Sequence, residues 1–156
     1  MKQQIRLIFL ISYIFLIGCG FKPISTISNY KITDIQFKGD DKVNFILKNR
    51  INQRQNQGNS ENNIKLEINS NKNKIVKEKN IQNEITKYTL IISTNINYTI
   101  DGQEEVRNLA LSKSGDYDVE TNYSQTLTNE KNVFKLLINE LADEINKNLT
   151  LNLSDL

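Results

Sequence analysis

YTLIISTNINYTIDG, residues 88 to 102, carries the plainest structural signal in the chain. Tyr88, Leu90, Ile92, Thr94, Ile96, Tyr98 and Ile100 recur at every second position for thirteen residues. Side chains at that period share one face of a β-strand, and a strand with one apolar face needs cover. Asp101-Gly102 then closes the run. Both central positions of a type I′ turn need positive φ, which Asp-Gly tolerates, so the chain is predicted to fold back antiparallel over Val106 to Leu111. Tyr117, Val119 and Tyr123 suggest extended chain beyond Gly115.

Working upstream, Ile64, Leu66 and Ile68 alternate as another strand, and Ile32 to Phe37 as an earlier one, with Ile35 and Phe37 on one face. Gly39 breaks that first strand, and Asp40 or Asp41 can cap a helix by accepting its first free amide hydrogens. Val43, Ile46, Leu47 and Ile51 follow at helical spacing, and Gln53 to Asn63 is loop chemistry. The lysine-rich stretch Asn69 to Glu84 fits either an extended hairpin or a mobile loop.

Downstream, Thr128 or Asn129 can cap a second helix whose seam is Val133, Leu137, Leu141 and Ile145. Phe134, Leu136, Ile138 and Leu149 widen it, and Glu130 suits the positive end of the helix dipole. Two amphipathic helices covering one face of a small sheet satisfy this order of elements. The expected fold is therefore α+β: two helices on one face of an about four-stranded mixed or antiparallel sheet, in a single domain over residues 29–152.

The chemistry available is narrow. The chain has one cysteine and no histidine, so no intramolecular disulfide forms and the commonest neutral-pH base and transition-metal ligand are missing. Serine nucleophiles have no histidine partner, and the six glycines form no phosphate-cradling loop. Asp116, Asp118 and Glu120 line one side of a strand, but Thr121 and Leu127 occupy the positions where a calcium loop needs glycine and glutamate. Those carboxylates, and Glu104-Glu105, read as solvated surface. No catalytic residue, metal site or cofactor is expected, and the chain is not read as an enzyme.

Charge is unevenly placed. From Lys22 to Lys87 there are 13 basic and 7 acidic residues, and from Tyr88 to Leu156 there are 5 and 11. Such asymmetry suits an anionic partner if it survives folding, and cancels if the two halves interleave. Lys72, Lys74, Lys77 and Lys79 are the one cluster that could present ammonium groups to a phosphate-rich ligand. The bland reading is an exposed lysine-rich segment that keeps the chain soluble.

The amino terminus decides the compartment. Lys2 and Arg6 precede an apolar run of 11 residues, Leu7 to Ile17, which is short for a membrane span and fits a secretory signal over residues 1–18. A marginal membrane anchor is the rival reading. Leu16-Ile17-Gly18-Cys19 resembles the lipobox of bacterial lipoproteins. That resemblance implies cleavage before Cys19 and acylation of its sulfur and new amine, with residues 19–28 as a lipidated tether. Two or three acyl chains hold almost irreversibly, since each buried methylene contributes about 0.8 kcal/mol. Gly20 stands where lipoproteins retained in the inner membrane commonly have aspartate, which implies the outer membrane, periplasmic side. A nucleic-acid partner is not expected there.

With these elements in order, the chain resembles the lipopolysaccharide-assembly lipoproteins of the outer-membrane translocon. Cys19, Gly20, Phe21, Lys22 and Pro23 match the Cys-Gly-aromatic-x-Pro opening of that family, and Leu141-Ala-Asp-Glu-Ile145 matches a stretch of its terminal helix. The resemblance implies a non-enzymatic plug inside an outer-membrane β-barrel translocon protein, which assists barrel assembly and contacts lipopolysaccharide. A long loop between the second and third strands departs from the compact members. The alternative is a generic periplasm-facing lipoprotein, acting as a lipid-transport accessory or an envelope-structural module.

Overall fold

The computed structural model describes residues 30–54 and 62–154. The element order is β1 (Tyr30–Gly39), α1 (Asp41–Arg54), β2 (Asn62–Lys79), β3 (Ile85–Ile100), β4 (Arg107–Asp118) and α2 (Tyr123–Ser154). The four strands form one sheet in the order β1-β2-β3-β4. β1 runs parallel to β2, with α1 in the crossover, and the other two pairings are antiparallel. The expected mixed α+β sheet backed by two helices is what the chain forms. Among the described residues, no helix is long and apolar enough to cross a membrane.

Alternation fixes which face is buried. Ile64, Leu66 and Ile68 on β2 stand opposite Ile100, Tyr98 and Ile96 on β3, and all six are buried. On β1 a bulge at Thr33 resets the alternation, so Ile32 and then Ile35 and Phe37 all meet the core side. The Thr33 hydroxyl donates to the Ile64 carbonyl at 3.1 Å, tying down the irregularity. Against this face lie Val43, Leu47 and Ile51 of α1, and Phe134, Leu137, Ile138, Leu141, Ile145 and Leu149 of α2.

α1 begins at a built corner. Gly39 has φ +90°, and a Cβ there would sit 1.9 Å from the Ser70 carbonyl oxygen, so only glycine fits. The Asp40 amide donates to that same carbonyl at 3.0 Å, while the Asp40 carboxylate caps the helix by accepting from the Val43 amide at 2.8 Å. Buried Asn44 completes the corner, donating to the Lys38 carbonyl at 3.1 Å and accepting from the Ser70 hydroxyl at 2.6 Å.

Of the two readings of residues 69–84, the extended hairpin is the one the chain forms: β2 continues to Lys79, and the chain reverses only at Asn80 to Glu84 before β3. Several other expectations need correction. The turn after Ile100 is not type I′. Positive φ occurs at Gly102 (86°) and not at Asp101, and the Gln103 amide donates to the Ile100 carbonyl at 2.9 Å, as when glycine is the second central residue of a type II turn. β4 consequently starts at Arg107, not Val106. α2 starts at Tyr123, about one and a half turns before Thr128, with the Asn122 side chain accepting from the Ser124 amide at 2.9 Å. Tyr123 is therefore helical, and Leu136 is 55% exposed and lies outside the buried seam. The next two residues, Leu137 and Ile138, are turned by the helix to the core side and are buried.

Candidate functional site

The four lysines singled out by sequence do not assemble into one cationic patch. Alternation sends Lys72 and Lys74 to the helix-covered side, where the Lys72 ammonium meets Glu130 of α2 at 2.9 Å and that of Lys74 meets it at 3.5 Å. Lys72 also lies 5.1 Å from the Phe134 ring centroid, and Lys74 lies 4.9 Å from that of Tyr88. Lys77, on the opposite face, pairs with Asp116, which also accepts from the Thr89 hydroxyl at 2.6 Å. Lys79 donates to the Asn83 side chain at 3.0 Å within the hairpin turn. Three of the four are thus engaged by carboxylates and the fourth by an amide.

Glu130 is the hub that sequence reading missed, having placed it only at a helix terminus. Its side chain is 20% exposed and that of Lys72 22%, so the pair is mostly out of water. It also accepts from the Tyr117 hydroxyl at 3.0 Å. Burial by itself would push the Glu130 carboxyl up, but hydrogen bonds from Lys72 and Tyr117, and the two ammonium charges, hold it below the usual carboxylate range. The Tyr117 phenol is driven upward by burial first and by its bond to Glu130 second. Tyr88 stacks on Tyr117, ring centroids 5.7 Å apart.

The charge asymmetry along the chain cancels where the halves meet. Besides the Glu130 contacts, Lys65 pairs with Asp101 at 3.7 Å, and Lys87 with Asp118 at 3.5 Å. The charge of Glu78, then that of Asp118, pushes the Lys87 ammonium up, and hydrogen bonding to Lys77 pulls the Asp116 carboxyl down. Asp116 and Asp118 therefore sit in ion pairs, and no group that could hold a metal ion occurs among the described residues.

What the fold leaves open is the other face of the sheet. Positions between the buried ones align in rows across three strands: Asn71 faces Ser93, which faces Ser112, and Asn69 faces Asn95, which faces Ala110. One row further, Asn97 stands opposite Asn108, whose side-chain amide donates to that of Asn97 at 2.8 Å. This central belt is uncharged and mostly polar; the next row, Asn73, Ile91 and Ser114, adds one half-buried aliphatic side chain. Ion pairs bracket it, Lys38 with Glu67 at one end and Lys77 with Asp116 at the other. The signal was present in the sequence, as the unused half of the period-two pattern. Cys19, the signal and the tether over residues 1–28 lie outside the described residues.

No family model matches the sequence, and neither does any curated protein. Solved structures do share the fold. A Caulobacter crescentus CB15 protein assigned as a lipoprotein superposes with a TM-score of 0.59 at 16% identity, covering 84% of this chain and 94% of that one. The uncharacterised lipoprotein B of Nitrosomonas europaea gives 0.56 at 12% identity, with coverage of 86% and 93%. The chain thus has a fold found in bacterial lipoproteins.

Proposed function

We propose that this chain is an outer-membrane lipoprotein of the lipopolysaccharide-transport translocon, held by acyl chains on Cys19 and seated in the lumen of a β-barrel partner. It acts by contact: it helps the barrel assemble, plugs it, and touches lipopolysaccharide on its way to the cell surface. The lipobox-like Leu16 to Cys19 supports the anchor, and the fold shared with bacterial lipoproteins supports the class.

The observation that carries the reading is the open sheet face. An apolar face would demand a dry partner, and a strongly charged one would demand counter-charges. Asn69, Asn71, Ser93, Asn95 and Ser112 instead offer neutral donors and acceptors that exchange water for a polar wall at little net cost. A water-lined barrel lumen, whose inward side chains are polar, is such a wall. Because the lysine cluster is internally paired, lipopolysaccharide contact is assigned to the plug as a whole and not to Lys72, Lys74, Lys77 and Lys79.

Affinity purification of the full-length tagged chain from outer membranes tests this. A barrel protein should co-purify in roughly equal amount, and depletion of the chain should lower surface lipopolysaccharide. Absence of a barrel partner together with normal surface lipopolysaccharide would leave a generic periplasm-facing lipoprotein.

A further inference from the structure

The sheet ends in an unguarded strand. β4 lies at one edge of the order β1-β2-β3-β4, and no strand among the described residues pairs with its outer side. The Val119 amide donates to the Thr86 carbonyl at 2.9 Å, in the register that joins Asp118 to Lys87. Bonded pairs alternate along an antiparallel ladder, so the odd-numbered residues of β4 bond to β3. Asn108, Ala110, Ser112 and Ser114 therefore aim their amides and carbonyls outward. Edge strands are ordinarily blunted by a bulge, a proline or charge. β1, the other edge, has its bulge at Thr33 together with Lys31, Asp34 and Lys38. From Asn108 to Ser114, β4 has no bulge and no proline, and its one charge, Lys113, is held by Glu144 at 2.5 Å.

Beside this edge α2 carries a stripe that is its own complement. Leu136, Glu140, Lys147 and Leu151 follow one another at helical spacing and share one side of the helix. Leu136 is 55% exposed and Leu151 53%. Glu140, Lys147 and Leu151 border an open groove of about 620 Å³ together with Lys113 of β4. Reversed, the stripe keeps its pattern and exchanges its charges. Two such helices lying antiparallel would set Leu136 against Leu151 and Glu140 against Lys147, twice over. The midpoint of the stripe falls between Asp143 and Glu144.

The strand has a midpoint of its own at the same level. Gly115 lies under Val133 and Leu137, since a Cβ there would sit 3.0 and 3.4 Å from their side chains. Ser112 is about 10 Å further toward the start of β4. The same distance along α2, at about 1.5 Å per residue, leads from the Val133–Leu137 turn to the neighbourhood of Ala142. The Lys113–Glu144 contact fixes that level independently. Turning a second copy about Ser112 pairs Ser112 with itself, Ala110 with Ser114 and Asn108 with Asp116 on the open face. On the helix side Leu109 faces Gly115 and Leu111 faces Lys113. No like charges stand opposite, and the half-buried Leu109 and Leu111 gain cover. An unrelated strand would satisfy the outward peptide groups, but a second copy also matches the stripe of α2.

We infer that two copies of this chain, outside any barrel, pair edge to edge through β4 in antiparallel register about Ser112. The pair forms one eight-stranded sheet with the two α2 helices side by side. The inference does not rest on the barrel reading and is tested on the chain purified by itself, so the two fail independently. The full lipidated chain in detergent should give a dimer by native mass spectrometry. Ala110→Pro should raise its dissociation constant at least about tenfold and leave Tm within about 2 °C of wild type, because the lost amide hydrogen faces solvent in the single copy. Glu140→Lys should weaken the dimer, and Lys147→Glu added to it should restore it. Under mild oxidation Ser112→Cys should give a disulfide-linked dimer, mapped to the introduced cysteine of both copies, and Lys31→Cys on the β1 edge should not. A monomer at every concentration, as when a segment of the same chain covers β4, would overturn the inference. So would a complex with a different protein in place of the second copy, or a dimer indifferent to both Ala110→Pro and the charge reversal.

Discussion

Replacing Glu130 by glutamine removes one charge from the hub that holds β2, β4 and α2 together. The substitution keeps shape but leaves Lys72, whose side chain is 22% exposed, without a full counter-charge, and weakens the contacts of Lys74 and the Tyr117 hydroxyl. Charge-assisted hydrogen bonds in such surroundings contribute about 1.5–3 kcal/mol, and partial exposure argues for the lower half, so about 2 kcal/mol is expected in total. For a domain of this size that corresponds to a fall of roughly 8 °C in Tm.

The pH dependence gives a second reading of the same contact. The Glu130 carboxyl is held below its ordinary value of 4.5, so its contribution is present above that value and lost as pH falls through the depressed range. Wild type and Glu130→Gln should therefore differ at neutral pH and converge in acid. Thermal melts followed by circular dichroism at several pH values measure both effects. A variant that melts within about 2 °C of wild type at neutral pH, or a gap that does not narrow in acid, refutes the assignment of Lys72 and Lys74 to the scaffold.

Three further outcomes follow from the packing. Gly39→Ala should cost at least about 3 kcal/mol, because a Cβ would meet the Ser70 carbonyl oxygen at 1.9 Å in a backbone conformation at φ +90°; the urea midpoint reads this. Leu141→Ala, in the fully buried seam, should cost about 2–5 kcal/mol, while Leu136→Ser on the same helix should stay within about 0.5 kcal/mol. Cys19→Ala should abolish labelling of the protein by a palmitate analogue and remove it from the outer-membrane fraction, as read by fractionation and immunoblot.

The apolar half of each period was legible before any coordinates. Leu90 to Ile100, Ile64 to Ile68, and the stripes of α1 and α2 apart from Leu136 lie where alternation and helical spacing place them. The boundaries were less so, because they depend on side-chain bonds that leave no periodic trace. Asn122 starts α2 well before its first buried apolar residue, Phe134, and Asn80 closes a hairpin that composition alone does not distinguish from a loop. The lysine cluster misled for a related reason: neighbours in sequence are sent to opposite faces by the strand, and their partners, Glu130 and Asp116, are more than thirty residues away. Sequence spacing shows a charge but not the counter-charge that folding brings to it.

A plug in a barrel lumen must bring the open face of the sheet against a polar wall. Cys19 is the one native cysteine and is expected to be acylated, so a cysteine introduced as Asn95→Cys reports on the middle of that face alone. Its reaction with a membrane-impermeant maleimide should be fast in the purified protein and at least about tenfold slower in outer membranes opened to the reagent, where the barrel partner covers it. Equal rates in both preparations would mean that the polar face stays in water, and would contradict the plug.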